Sequence, residues 1–120
     1  MSLLRLLLPL IALTLLSNGA NAESSREVKA WQLIEQGALI IDVRTTEEYA
    51  QAHLKNSVHI PYPEIVARFT QMEIRKDLPV VLYCRSGNRS GIAYKMLSEA
   101  GYQALHNGGG LNDLLQAAPR

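Results

Sequence analysis

Two short, unbroken apolar runs constrain the fold of this chain more than any other feature. Ala38-Leu39-Ile40-Ile41-Asp42-Val43 and Pro79-Val80-Val81-Leu82-Tyr83 are each about one strand long and do not alternate apolar with polar residues. A strand with one wet face alternates, whereas a strand covered on both faces is apolar throughout. Strands of the second kind belong to parallel sheets, because parallel neighbours need crossover connections that lay helices over the sheet. Both runs end on reactive or charged residues, Asp42-Val43-Arg44 after the first and Cys84 to Arg89 after the second.

The remaining segments supply the crossovers. Ser24-x-x-Glu27 has the form of a capping box before an apolar face of Val28, Trp31, Leu33 and Ile34, closed by Gly37. Thr45-x-x-Glu48 opens a short helix carrying Tyr49 and Ala52, and Ser57 to Pro61 reads as a brief strand stopped by proline. Pro63 suits the first turn of a helix holding Ile65, Val66, Phe69 and Met72. The spacing of Ile92, Ala93, Met96, Leu97 and Ala100 predicts a helix from Ser90 to Ala100, with Gly101 as its left-handed terminator. A last strand is expected at Gln103 to His106, then a tight turn or close backbone approach at Asn107-Gly108-Gly109-Gly110, then a helix from Leu111 to Ala117. This alternation predicts a single α/β domain, a mostly parallel central sheet flanked by helices on both faces, with ligands beyond the carboxyl ends of its strands.

Residues 1–22 read as an export signal rather than part of the domain. Arg5 precedes an apolar run, Leu6 to Leu16, about half of the roughly 20 residues a spanning helix needs, and Ala20-Asn21-Ala22 is a small-residue cleavage pattern. Cleavage after Ala22 leaves residues 23–120 as the domain, periplasmic or otherwise exported and not stably inserted in a membrane; an uncleaved anchoring N-terminus is the alternative. The chain has 12 basic and 11 acidic residues, and removing Arg5 leaves 11 of each. A neutral domain lacks the bias that nucleic acid or an anionic membrane surface would require.

Cys84 is the only cysteine, so no internal disulfide can form. A lone cysteine is a buried small side chain, an intermolecular link or a reactive thiol, and its neighbours favour the last. Cys84-Arg85-Ser86-Gly87-Asn88-Arg89 lies between a buried strand and a helix, so a compact loop would turn backbone N–H groups toward the sulfur beside the helix's positive end. Those donors and the nearby arginines favour the thiolate, so Cys84 is expected to be largely ionised at neutral pH. Arg85 and Arg89 suit substrate binding or loop bracing. Asp42 is either a partner for a loop arginine or a cap of the turn that follows it. His53, His59 and His106 are scattered and show no metal-ligand spacing, and the glycines at 108–110 lack the Gly-x-Gly-x-x-Gly pattern, so neither a metal nor another cofactor is expected.

Taken together, Cys84-x-x-Gly87-x-Arg89, Asp42-Val43-Arg44-x-x-Glu47-x-Tyr49-x-x-x-His53, and Gly101-Tyr102 with Gly108-Gly109-Gly110-Leu111 resemble the rhodanese family, and within it the small single-domain periplasmic type of phage shock protein E. The resemblance spans roughly residues 38–115. It implies a thiosulfate:cyanide sulfurtransferase in which Cys84 carries sulfur as a persulfide, Arg85 holds the sulfonate of thiosulfate, and Arg89 braces the loop, with Arg44, Glu47 and His53 as scaffold. With no second cysteine, the sulfur acceptor must be an external nucleophile or thiol. Two rivals remain: a noncatalytic rhodanese-like binding module, and a phosphatase or arsenate reductase of the related cell-cycle phosphatase type. The first is disfavoured by the presence of Cys84. The second uses a loop one residue longer than the four residues between Cys84 and Arg89.

Overall fold

A computed structural model describes residues 25–120. The expected export segment, residues 1–22, and Ser24 lie outside the described residues. The first helix, α1 (Arg26–Glu35), is capped by Ser25, whose side chain accepts the Val28 N–H at 3.1 Å. The cap thus falls one residue later than the expected box, and Glu27 turns instead to the Arg26 guanidinium, 3.0 Å from Nε. This register makes Ala30 the buried residue of α1 and leaves Val28 40% exposed, off the expected apolar face.

Four strands follow: β1 (Leu39–Asp42), β2 (Val58–His59), β3 (Val80–Cys84) and β4 (Leu105–Gly110). They form one sheet in the order β2-β1-β3-β4, every pair parallel. Both apolar runs are therefore central strands, and β3 is buried along its whole length. Successive side chains on a strand point to opposite faces, and two cores result. Ile41, Val80, Leu82 and Cys84 pack with Ile65 and Phe69 of α3 (Ile65–Gln71) and Ala93 and Leu97 of α4 (Asn88–Glu99). Ile40, Val81 and Tyr83 pack on the other face with Ala30 of α1 and with Leu111 and Leu114 of α5 (Leu111–Gln116). Each fully buried Ile, Leu or Phe stabilises the fold by roughly 1.5–3 kcal/mol. The Trp31 indole N–H, 2.7 Å from the Leu114 carbonyl, ties the two ends of the second layer together.

Thr45 and Glu48 form the expected reciprocal box at the start of α2 (Thr46–Gln51). Helix α4 and strand β4 differ from the sequence reading where they meet the site. Helix α4 begins at Asn88, two residues early, because Gly87 at φ 104° supplies the sharp turn and Arg89 is drawn into the first helical turn. The glycines after Asn107 are not a turn: β4 runs through them. Leu82 pairs with Asn107 but Tyr83 pairs with Gly109, so Gly108 is an extra residue bulged from the ladder. A Cβ at Gly108 would sit 3.0 Å from Val81 Cγ1, which is the close backbone approach the glycine run suggested.

The strand order positions the site. From β1 the chain goes out to β2 on one side, while β3 lies on the other, so a crevice opens between the carboxyl ends of β1 and β3, where ligands bind in such sheets. Asp42 ends β1 and Cys84 ends β3.

Candidate active site

Cys84 is the last residue of β3 and only 1% exposed. The chain then bends through Arg85, Ser86 and Gly87 into α4. Curling back, the Gly87 N–H lies 3.0 Å from Cys84 Sγ, and the Ser90 hydroxyl lies 3.4 Å away. Burial pushes the thiol up, but the Ser90 hydroxyl and the N–H groups of Ser90, Ser86 and Gly87 outweigh it and hold Cys84 below the ordinary thiol value. The cradle expected from the sequence is thus present, and it favours the nucleophilic thiolate.

The donors are not equal. Ser90 has one hydroxyl proton and two acceptors, Cys84 Sγ at 3.4 Å and Asn107 Oδ1 at 2.7 Å. The hydroxyl is shared between these two acceptors, whereas the Gly87 N–H is aimed by the backbone and is the steadier donor to sulfur. Asn107 also donates to the Gly87 carbonyl at 3.0 Å and accepts the Gly109 N–H at 3.0 Å, tying the bulged end of β4 to the loop. A Cβ at Gly110 would collide with the Arg85 carbonyl, so β4 can lie against the loop only where it lacks side chains.

The two loop arginines have different surroundings. Arg89 meets Glu48 of α2 in a two-pronged pair, Nη1–Oε1 2.8 Å and Nη2–Oε2 3.0 Å. This pairing is the main reason the Glu48 carboxyl falls to about 2; burial opposes it and Thr45 adds further hydrogen bonds. Arg85 is exposed and lines a cleft of about 350 Å³ together with Arg44, Glu48, Gln51, Ala52, Leu111 and Asn112. Cys84 is not on that wall; it sits beneath the loop whose outer face carries the exposed Arg85, Ser86 and Asn88.

Asp42 does not pair with a loop arginine. Its fully buried carboxylate takes the Arg44 guanidinium (Nη2–Oδ2 2.8 Å, Nε–Oδ1 3.0 Å) and the Arg44 N–H at 2.9 Å. Two residues' separation makes this closure local, and the arginine that reaches the loop side is already held by Glu48. The alternative role, capping its own turn, is the one the structure shows. Arg44 also donates to the Ala52 carbonyl, while His53 stacks on Tyr49 with ring centroids 3.7 Å apart.

Sequence reasoning missed four residues that reach the loop: Glu48, Ser90, Asn107 and Arg26. Glu48 was absorbed by its capping box. Ser90, directly after Arg89, carried a usable signal, since a first-turn hydroxyl points back over the loop. Asn107 and Arg26, whose Nη2 lies 2.9 Å from the Ser86 carbonyl, carried none, because only the fold brings them there.

The rhodanese-like domain family matches residues 27–117. This chain belongs to that family. The rhodanese-like domain is 40% identical over 74 residues to the thiosulfate sulfurtransferase PspE of Escherichia coli, covering 62% of this chain and 71% of that protein. It is 39% identical over 72 residues to a sulfurtransferase of Allochromatium vinosum, covering 60% and 65%. It also resembles a putative sulfur carrier protein, YrkF of Bacillus subtilis, at 34% identity over 57% of this chain and 36% of that one. Among solved structures, a rhodanese with anions from E. coli superposes with a TM-score of 0.63 at 38% identity, covering 69% of this chain and 95% of that one. The rhodanese-like domain therefore sits among sulfurtransferases, which require a sulfur donor and an acceptor. No helix among its described residues is long and apolar enough to cross a membrane.

Proposed function

We propose that this rhodanese-like domain is a thiosulfate sulfurtransferase that carries sulfane sulfur on Cys84. The observation that carries the reading is the sulfur cradle: a buried Cys84 Sγ taking the Gly87 N–H at 3.0 Å, with its thiol held below the ordinary value. The thiolate attacks the outer sulfur of thiosulfate; the S–S bond of the donor breaks and sulfite leaves with the bonding pair. Cys84 becomes a persulfide anion, whose charge the same N–H groups stabilise. Cyanide or an external thiolate then attacks the outer sulfur and returns Cys84 as thiolate. Arg85, exposed at the loop's mouth, holds the sulfonate, and Arg89 stays with Glu48 and braces the loop. The 40% identity to a thiosulfate sulfurtransferase supports this donor.

The test is intact mass of the purified protein before and after thiosulfate, with Cys84→Ser as control, followed by cyanide. A one-sulfur adduct that cyanide discharges as thiocyanate, absent in the control, is the expected result. No adduct on demonstrably reduced protein removes thiosulfate as donor, and hydrolysis of a phosphate ester would replace the reading with a phosphatase. The same spectrum of protein expressed in a bacterial host reads the N-terminus. We propose that it begins at Glu23, on the strength of the apolar run and the Ala20-Asn21-Ala22 pattern.

A further inference from the structure

The peptide that serves the sulfur is held from its other side. Ser86 and Gly87 share one trans peptide, so the Ser86 carbonyl and the Gly87 N–H point in opposite directions. The N–H faces Cys84 Sγ at 3.0 Å, and the carbonyl oxygen accepts Arg26 Nη2 at 2.9 Å. Arg26 opens α1, 60 residues before Ser86 in sequence.

The guanidinium is seated by design of the surrounding backbone. A Cβ at Gly87 would stand 2.6 Å from Arg26 Nη1, and one at Gly109 would stand 2.6 Å from Arg26 Nε. Two glycines, one on the loop and one on β4, thus leave room for the flat group, and both have positive φ, 104° and 96°. Glu27 completes the seat: its Oε2 takes Arg26 Nε at 3.0 Å, and its side chain is 15% exposed. The His106 ring nitrogen lies 2.8 Å from the Arg26 carbonyl and ties the start of α1 to β4.

Resting on the sulfurtransferase reading for its purpose, we propose that Arg26 is a positioning residue for sulfur transfer. By holding the Ser86 carbonyl it turns the Ser86–Gly87 peptide so that its N–H faces the reacting sulfur. A cation on the carbonyl also draws electron density along the peptide and makes the N–H a stronger donor, as hydrogen bonds in a chain strengthen one another. The Ser90 hydroxyl is shared with Asn107 and lies 3.4 Å from the sulfur, so the Gly87 N–H at 3.0 Å is the shorter of the two contacts and its orientation matters more. Its side-chain hydrogen bonds go to Glu27 and to the Ser86 carbonyl, so Arg26 acts on the sulfur through the peptide.

The experiment measures alkylation of Cys84 by iodoacetamide against pH, which needs no sulfur donor, in the full chain and in Arg26→Met, Arg26→Lys and Lys29→Met. Lys29 is an exposed cation on the same helix and controls for lost charge. In Arg26→Met the midpoint of the profile moves to higher pH, and the rate on its rising limb falls about threefold to tenfold, the thiolate fraction being what reacts. Arg26→Lys recovers part of the rate, and Lys29→Met matches the parent. Thermal melting of each variant separates a local change from unfolding. An unmoved profile in Arg26→Met, or an equal movement in Lys29→Met, overturns the proposal. If the profile moves as expected but thiosulfate loads no sulfur on the parent, the donor reading fails and the role of Arg26 in preparing the thiolate stands.

Discussion

Two carboxylate–guanidinium pairs stand near the crevice between β1 and β3, and they do different things. Asp42 and Arg44 are two residues apart with side chains 0% and 7% exposed; Glu48 and Arg89 are 41 residues apart and 26% and 28% exposed. The first pair closes on itself and fixes the end of β1 and the Ala52 carbonyl. The second crosses the crevice from α2 to the first turn of α4, so it ties the far end of the sulfur loop to a separate element. A buried local pair is a matter of fold integrity, because an uncompensated charge in the interior is costly. A half-buried crossing pair is a matter of loop position. At Arg44 burial pushes the guanidinium down, and Asp42 outweighs it and holds it above its ordinary value.

Breaking the buried pair should give the larger loss of stability. Asp42→Asn leaves Arg44 buried without its anion, and urea unfolding should show a loss of about 3–5 kcal/mol. Adding Arg44→Met should recover part of it, because the stranded charge is gone. A loss under about 1 kcal/mol in the single variant would mean that water reaches Arg44 and that the two pairs do not differ in kind.

Breaking the crossing pair should cost about 1 kcal/mol and change the response to acid. Glu48 is lowered from 4.5 to about 2, so its stabilisation is complete above about 4.5 and disappears as pH falls toward 2. Melting temperature against pH in the parent should therefore drop across that window more steeply than in Arg89→Met, where Glu48 has lost its main partner. Parallel curves would show that the pair does not form in solution. Cys84 alkylation should slow in Arg89→Met and stay unchanged in folded Asp42→Asn.

The contrast also explains what the sequence could convey. The unbroken apolar runs made the parallel sheet legible, because burial on both faces leaves no polar residue to alternate. Cys84 and its loop were legible because a thiol beside glycine and arginines suits no apolar core. Pair assignments were not, since Asp42 has Arg44 two residues on and two more arginines in the loop to choose from, and only the folded geometry shows that the local one takes it. The glycines at 108–110 were ambiguous for the same reason: whether glycine serves a turn or a close approach depends on what lies opposite, here the Arg85 carbonyl and Val81. Arg26 carried no signal in the sequence, because its contact with the Ser86 carbonyl joins residues 60 apart.

A third pair supplies the baseline for the other two. Glu64 and Arg68 are one helical turn apart at 3.6 Å, with side chains 56% and 39% exposed. Water already solvates both charges, so ordering the two side chains offsets most of the attraction. Glu64→Gln should change unfolding free energy by less than about 0.5 kcal/mol and leave Cys84 alkylation unaltered. The three pairs differ in burial and connectivity, while each joins a carboxylate to a guanidinium. If Glu64→Gln cost as much as Asp42→Asn, burial could not be what separates the scaffold pair from the rest. If it slowed Cys84 as much as Arg89→Met, reaching across the crevice could not be what gives the Glu48 pair its hold on the loop.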